Sequence, residues 1–424
     1  MPFIIARNRP TSITRCTHST YDGDRQSMHD LLIITSRNVA TPGGEFSLIK
    51  NRSAALERNW GLGSDIISLC NTNLGVPEGA EAFGEGEYVR ACFSNPVSLL
   101  KGYESLIRKA ESALSRARYK AILLSGVGLL RYVDRIKKNV RGDTLLCADV
   151  HGYYGDGRLL AKEEPFALGM FHTLAAQVEE YEQKHHLERF DRIFTVSAAY
   201  RDFLCNVTDC RPEQFYIVPC AIGNIPSFPS FEENEHRIAF REKYGVSNDE
   251  SLLVYSGGAS AWQCLPETVE LYRSIKQLIP AKLLILSGDK AGVHNSIGAS
   301  PDVLVDSYPP SDLPRVFCAA DYFIMLRADA PTNHYAYPNK FLEYAAAHRP
   351  VITTPYIYDI ADQVRSSGAG ILFNGNVETL VTQMKDYSCS ADAYDHLVEL
   401  NSFDTTLKPF AQDLGMTKTA GQSS

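Results

Sequence analysis

The sequence predicts an α/β protein made of two Rossmann-like, doubly wound parallel-sheet domains that face each other across a cleft. Three observations predict it. Short apolar runs alternate with helical patterns along almost the whole chain. Those runs are continuous rather than alternating, which suits parallel strands buried on both faces. A stretch without periodicity, "CAIGNIPSFPSFEENEH" (220–236), divides them into two series. At 424 residues the chain is also too long for a single core.

The first series of strands is "LLIITS" (31–36), "DIISLC" (65–70), "AILLSG" (121–126), "TLLCADV" (144–150), "RIFTVS" (192–197) and "FYIVP" (215–219). The second is "SLLVYSG" (251–257), "KLLILSG" (282–288), "VLVDSY" (303–308), "YFIMLR" (322–327) and "PVITTP" (350–355). Helical patterns fall between them, such as "LPETVELYRSIKQL" (265–278) and "DLPRVFCAAD" (312–321). Repeated strand–helix units wind an open parallel sheet, and ligands bind at the carboxyl ends of its strands. The expected division is an N-terminal extension (1–27), a first domain (28–222), a linker (223–236), a second domain (237–385), and a helical segment with a loose tail (386–424). Looseness is expected from about residue 410 onward.

Composition narrows the class. A net charge of −8 gives the whole molecule no electrostatic reason to seek nucleic acid. Ten cysteines include no CxxC pair, and several lie in apolar strand-like runs, which suits buried thiols in a reducing cytoplasm. Asn206-Val207-Thr208 matches a glycosylation sequon, read as accidental without a secretory segment. "MPFIIARNRPTSITR" does not read as a signal peptide, and no stretch approaches a membrane span of about 20 apolar residues. One local exception is basic: residues 101–141 hold eleven Lys or Arg against three Asp or Glu. Leu99, Leu100, Leu106, Ile107 and Leu114 form one helical stripe there, so the stretch is either an ordinary solvated face or an attachment to anionic membrane.

The chemistry-bearing residues cluster at expected strand ends. In "YPNKFLEYAAAHRPVITTP" (337–355), Pro338 suits the first position of a helix, whose free N–H groups and dipole favour an anion. Lys340 adds a full charge, and Glu343 and Tyr344 follow at i+3 and i+4 on its face. That layout fits a phosphate at Lys340 and a sugar diol at Glu343; a plain surface ion pair is the alternative. Gly257 and Gly258 follow a buried strand, and Gly43 and Gly44 stand between the first strand and the next helix, where bare backbone can approach a ligand. Asp149, His151 and Gly152 close another strand, and Arg327 leaves the strand before the Pro338 helix. Arg327 and Lys340 converging on one helix start would make a diphosphate clamp.

This combination resembles the GT-B glycosyltransferases, in particular the large retaining family 4 (glycosyl transferases group 1) with its bacterial polysaccharide-biosynthesis enzymes. The resemblance runs from about Leu31 to Asn374 through "TPGGEFSLIKN", "ADVHG", "RIFTVSAAYRDFL", "IVPCAIG", "VYSGGASAWQ" and "YPPSDLPRVFCAADYFIML". It is strongest in "YPNKFLEYAAAHRPVITT", close to the family's P-x-K-x-x-E-Y helix and following strand. It implies that the first domain takes the acceptor and the second the nucleotide sugar. It implies further that Glu343 holds the donor ribose, and that Pro338, Asn339 and Lys340 face the diphosphate. Gly257 and Gly258 would lie beside the phosphates, Gly43 and Gly44 near the donor sugar, and His151 opposite that sugar. The family generally needs no metal or other cofactor. Its implied partners are a nucleotide-sugar donor and a glycan or lipid-linked acceptor, at the cytoplasmic side of the cell membrane.

Three departures bear on this. Tyr335 stands where the family has a first glutamate, "ASAWQ" (259–263) lacks the usual Arg and Lys after the glycine turn, and His348 replaces a helix-ending glycine. Arg327 and Lys340 are expected to supply the missing charge, making them, with His151, the catalytic candidates. Two alternatives stay open: a catalytically silent homologue that binds a glycan or partner, and a nucleotide-sugar epimerase.

Overall fold

The computed structural model describes residues 28–38, 44–71, 87–91, 96–153, 155, 166–220, 230–298 and 300–417. The N-terminal extension expected over 1–27 lies outside them. The first sheet contains β1 (Met28–Asn38), β2 (Ser64–Asn71), β3 (Glu87–Ala91), β4 (Arg118–Ser125), β5 (Leu145–Val150), β6 (Arg192–Thr195) and β7 (Phe215–Ile217). Among the described residues it has seven strands, all paired in parallel, in the order β3-β2-β1-β4-β5-β6-β7. The second sheet contains β8 (Ser251–Ser256), β9 (Ala281–Leu286), β10 (Val303–Asp306), β11 (Tyr322–Met325), β12 (Val351–Thr353) and β13 (Gly370–Leu372). Its six described strands are also parallel, in the order β10-β9-β8-β11-β12-β13.

Helices cover both faces of each sheet, which explains the continuous apolar runs. Along β1, Leu31 and Ile33 feed one core while Leu32 and Ile34 feed the core on the opposite face. Two strands escape the sequence reading, β3 and β13, and both are edges. "EYVRA" carries a glutamate and an arginine and "GIL" is three residues long, so neither presents a buried-strand run.

Two expectations need correction. The helix Ser230–Lys243 begins inside the stretch read as a linker. Residues up to 417 are not a loose tail: the helix Lys408–Asp413 returns to the first sheet. Phe410, buried, meets Phe194 edge-on at 5.0 Å, and Asp413 pairs with Arg192 at 2.7 Å. An apolar run too short to register as an amphipathic helix still anchors the chain end. In the basic stretch, Leu106, Ile107 and Leu114 of the helix Pro96–Arg116 are buried against the first sheet and Leu99 is partly buried, while Leu100 stays 53% exposed. Arg135 within it is paired to Glu104 and Glu111 at 2.7 and 2.8 Å. No described helix is long and apolar enough to cross a membrane.

His348 does take the left-handed position expected of glycine, with φ 50°. The His348 N–H donates to the Ala345 carbonyl and the Arg349 N–H to that of Tyr344, the paired bonds of a Schellman cap. Its imidazole lies 2.7 Å from Asp395, a contact that offsets part of the left-handed cost of roughly 1 kcal/mol.

Candidate functional site

The second sheet reverses its winding between β8 and β11, the place where an open α/β sheet leaves a crevice at its carboxyl ends. Gly257 follows β8 and Arg327 lies two residues beyond β11, so both stand at that crevice. A Cβ at 257 would sit 2.7 Å from Gln263 Oε1 and 3.0 Å from the Tyr255 hydroxyl, so a side chain there would displace Gln263 and crowd the tyrosine. The Tyr255 hydroxyl in turn lies 2.6 Å from the Gly258 carbonyl and 2.7 Å from Gln263 Oε1. Burial pushes this phenol up to about 12, so it stays a neutral donor that braces the turn. Gly258 has no such crowding: a Cβ there would meet only Gln263 Nε2, at 3.6 Å.

Arg327 is 9% exposed. Thr354 clasps its backbone in both directions: the Arg327 N–H donates to Thr354 Oγ1 at 3.1 Å, and that hydroxyl donates back to the Arg327 carbonyl at 2.9 Å. Its guanidinium donates through Nη1 to the Leu326 carbonyl, and among the described residues no carboxylate pairs with it. Burial pulls this guanidinium below its usual pKa, yet arginine remains charged in any protein setting. A buried cation without a counterion is costly, and it faces the cleft.

The helix expected to start at Pro338 spans Asn339–Ala346. Pro338 is its N-cap, with ψ 127°, rather than its first helical residue, which is Asn339. Phe341, Leu342, Tyr344 and Ala345 are buried, leaving Lys340 and Glu343 toward the cleft. Lys340 Nζ donates to Glu343 Oε2 at 2.7 Å. Tyr344 does not share their face. It stacks on Phe323 at 3.9 Å and donates to the Ser256 carbonyl at 3.2 Å, so it props up the end of β8 and is no donor contact.

The opposite wall comes from the first domain. His151, just beyond β5, stands at the cleft wall with its ring largely buried and Nδ1 3.1 Å from Asp149 Oδ1. Asp149 is 1% exposed; its Oδ2 accepts from Ser125 Oγ at 3.0 Å and lies 3.0 Å from Arg52 Nη1. Burial alone would raise this carboxyl, but Arg52 and then His151 outweigh it and hold it well below the usual carboxylate range. His151 Nε2 is buried without a hydrogen-bond partner. The Tyr200 hydroxyl lies 2.6 Å from the Gly152 carbonyl and steadies the same loop.

Tyr335 joins the two walls. Its ring stacks on Phe203 at 4.7 Å and meets Tyr153 at 5.5 Å, while its carbonyl accepts from Ser197 Oγ at 2.7 Å. Two further bonds close the junction: the N–H groups of Ala198 and Ala199 donate to the Asp359 carboxylate at 2.6 and 2.9 Å. The aromatic at 335 is thus engaged in holding the domains together.

The cleft has a volume of about 490 Å³. His151, Gly257, Arg327, Pro338, Asn339, Lys340 and Glu343 all line it. Gly43 lies outside the described residues, and Gly44 opens the helix Gly44–Trp60. Sequence reasoning missed Arg52, Tyr255 and Gln263. Arg52 had a signal: it occupies the buried i, i+3/i+4 stripe of Leu48, Ile49, Ala55 and Leu56, where an apolar residue belongs.

Comparison with known proteins places this geometry. Residues 253–388 match the family described as Glycosyl transferases group 1. No curated protein matches the chain. Among solved structures, sucrose-phosphate synthase from Thermosynechococcus elongatus superimposes with a TM-score of 0.65 at 13% identity, covering 92% of this chain and 98% of that one. HepE of Anabaena, in complex with UDP and glucose, gives 0.63 at 13% identity over 91% of this chain and all (100%) of its own. A mutant of TarM of S. aureus, in complex with fondaparinux, alpha-GlcNAc-glycerol and UDP, gives 0.57 at 9% identity over 91% of this chain and 99% of its own. The chain has the GT-B fold.

Proposed function

We propose that the protein is a glycosyltransferase that moves a hexosyl group from a nucleoside diphosphate sugar to a glycan or lipid-linked acceptor, with retention and without a metal. Uridine diphosphate sugars are the first donors to test, because structural neighbours were crystallised with UDP or UDP-glucose. The observation that carries the reading is the buried Arg327 guanidinium, which has no described carboxylate partner and shares its cleft with Lys340 and Glu343. A leaving diphosphate supplies the counterion that Arg327 lacks and a second partner for Lys340, and Glu343 can accept hydroxyl donors once Lys340 turns to phosphate. Preorganised charge of this kind replaces the work a metal would do on the leaving group.

In this reading the donor diphosphate lies over Gly257 and the start of the Asn339–Ala346 helix, and its sugar points toward His151. The acceptor hydroxyl attacks on the face from which the diphosphate departs, and a phosphate oxygen takes its proton, so no protein nucleophile is required. Contact with an anionic membrane through residues 101–141 would be mainly electrostatic and weakened by salt, since Leu106, Ile107 and Leu114 are buried and only Leu100 of that stripe is largely exposed.

The test is donor turnover. Purified protein incubated with a panel of nucleotide sugars is expected to release nucleoside diphosphate slowly without acceptor, at an unchanged rate in EDTA. Proton NMR of the sugar product should show the donor's own anomeric configuration. Binding without any turnover, with or without candidate acceptors, would instead favour the silent homologue. Interconversion of the sugar with no transferred product would favour the epimerase.

A further inference from the structure

The helix Asn339–Ala346 begins at Pro338, and no side-chain cap bond forms there. A serine, threonine, asparagine or aspartate at that position would take up one of the N–H groups left over in the first turn. Leaving them open suits a diphosphate, but it also leaves the helix start without its usual local brace. The brace comes from the residue before it. Tyr337 is 3% exposed, meets the Phe341 ring edge-on at 6.3 Å, and donates its hydroxyl proton to Gln363 Oε1 at 2.7 Å. Burial holds this phenol well above its usual range, so it stays a neutral donor. Gln363, on the helix Tyr358–Ser367, donates in turn through Nε2 to Asn401 Oδ1 at 3.0 Å. Asn401 ends the helix Ala391–Leu400 and donates through Nδ2 to the Leu397 carbonyl at 2.8 Å. Each amide gives with its nitrogen and accepts with its oxygen, so every group in the network has the partner it requires.

We propose that Gln363 is a positioning residue for the diphosphate: it holds Tyr337, and with it the uncapped helix start at Pro338, against the C-terminal segment at Asn401. Gln363 is not part of the cleft wall, so it acts through the tyrosine. Pro338, Asn339 and Lys340, which follow Tyr337 directly, do line the cleft. A leucine at 363 would fill similar space but leave the buried Tyr337 hydroxyl without an acceptor, and an unpaired buried donor is costly. The ring would then turn toward water and draw the backbone at Pro338 with it. A shift of about 1 Å at a group that fixes a ligand is enough to matter for binding and turnover. Asn401 belongs to the segment that crosses back to the first sheet through Phe410, so the network ties the diphosphate helix to both domains.

The proposal rests on the reading of the cleft as a diphosphate site, but the first arm of its test needs no ligand. Hydrogen–deuterium exchange of the ligand-free full chain is followed at residues 341–344, which begin with the Phe341 N–H on the Pro338 carbonyl, and in the helix Leu265–Lys276 as a control. Gln363→Leu and Tyr337→Phe should each speed exchange at 341–344 by about tenfold, the scale of one lost buried hydrogen bond, and leave the control unchanged. The two changes together should do no more than either alone, because they remove the same bond. Gln363→Glu, which still accepts from Tyr337, should restore the wild-type rate. The second arm is calorimetry with UDP, GDP and ADP, each beside its nucleoside. For the diphosphate that binds, Gln363→Leu should weaken affinity about tenfold and leave the nucleoside's affinity as it was. A merely structural role would weaken both alike or neither. Unchanged exchange at 341–344 in folded Gln363→Leu and Tyr337→Phe overturns the proposal, as does an unchanged ratio of diphosphate to nucleoside affinity. So do effects that multiply in the double variant. If the wild type binds no nucleotide, the reading of the cleft falls, and the exchange arm still decides whether Gln363 sets the helix start.

Discussion

Arg327→Met is expected to lose between about 10²- and 10³-fold in kcat, the scale for removing one preorganised charge donor from a transition state. The same variant should be more stable than the wild type by about 1–3 kcal/mol, because a buried cation without a carboxylate partner is a net cost to folding. Among the described residues its side chain gives up one bond, to the Leu326 carbonyl, and the Thr354 clasp on its backbone remains. Lys340→Ala should lose at least about 10²-fold in kcat with little change in stability, since Lys340 and Glu343 form a partly exposed pair worth about 1 kcal/mol at most. Donor hydrolysis rates and urea unfolding read the two effects separately. Near-normal turnover in both variants would refute the diphosphate clamp. A loss of stability in Arg327→Met would show that its charge is compensated in the free protein.

Asp149→Ala is expected to destabilise the first domain by about 3–5 kcal/mol, the cost of removing one partner from a buried ion pair. The substitution would strand three groups at once: the Arg52 guanidinium, the Ser125 hydroxyl and His151 Nδ1. Asp149→Asn keeps the acceptor for His151 and the packing while losing the charge, so it should recover part of that cost. Denaturant midpoints of the two variants check this. Equal stabilities near wild type would mean that the carboxylate is solvated through the cleft.

The contrast between these residues shows what could be read from the chain alone. Lys340 and Glu343 were legible because their relation is local: i and i+3 on one short helix whose start is marked by Pro338. Gly257 and Arg327 were legible because each follows a buried strand, and the carboxyl ends of such strands converge. Tyr344 was misplaced because spacing puts i+4 near the lysine without saying which flank meets the sheet. The buried Phe341, Leu342 and Ala345 put that flank on the tyrosine's side. The Arg52–Asp149 pair joins residues from a helix and a strand that lie far apart in sequence, and no local pattern predicts such a contact. The edge strands β3 and β13 and the returning helix Lys408–Asp413 stayed hidden for a related reason: their stability comes from what they pack against.

The central claim is that the cleft recognises a diphosphate. Calorimetric titration of the protein with a set of nucleoside diphosphates, each beside its monophosphate and free nucleoside, measures this directly. At least one diphosphate should bind about tenfold or more tightly than its nucleoside, a difference of about 1.4 kcal/mol, and Arg327→Met should erase most of it. Equal affinity for a diphosphate and its nucleoside, or no binding by any of them, would contradict the account.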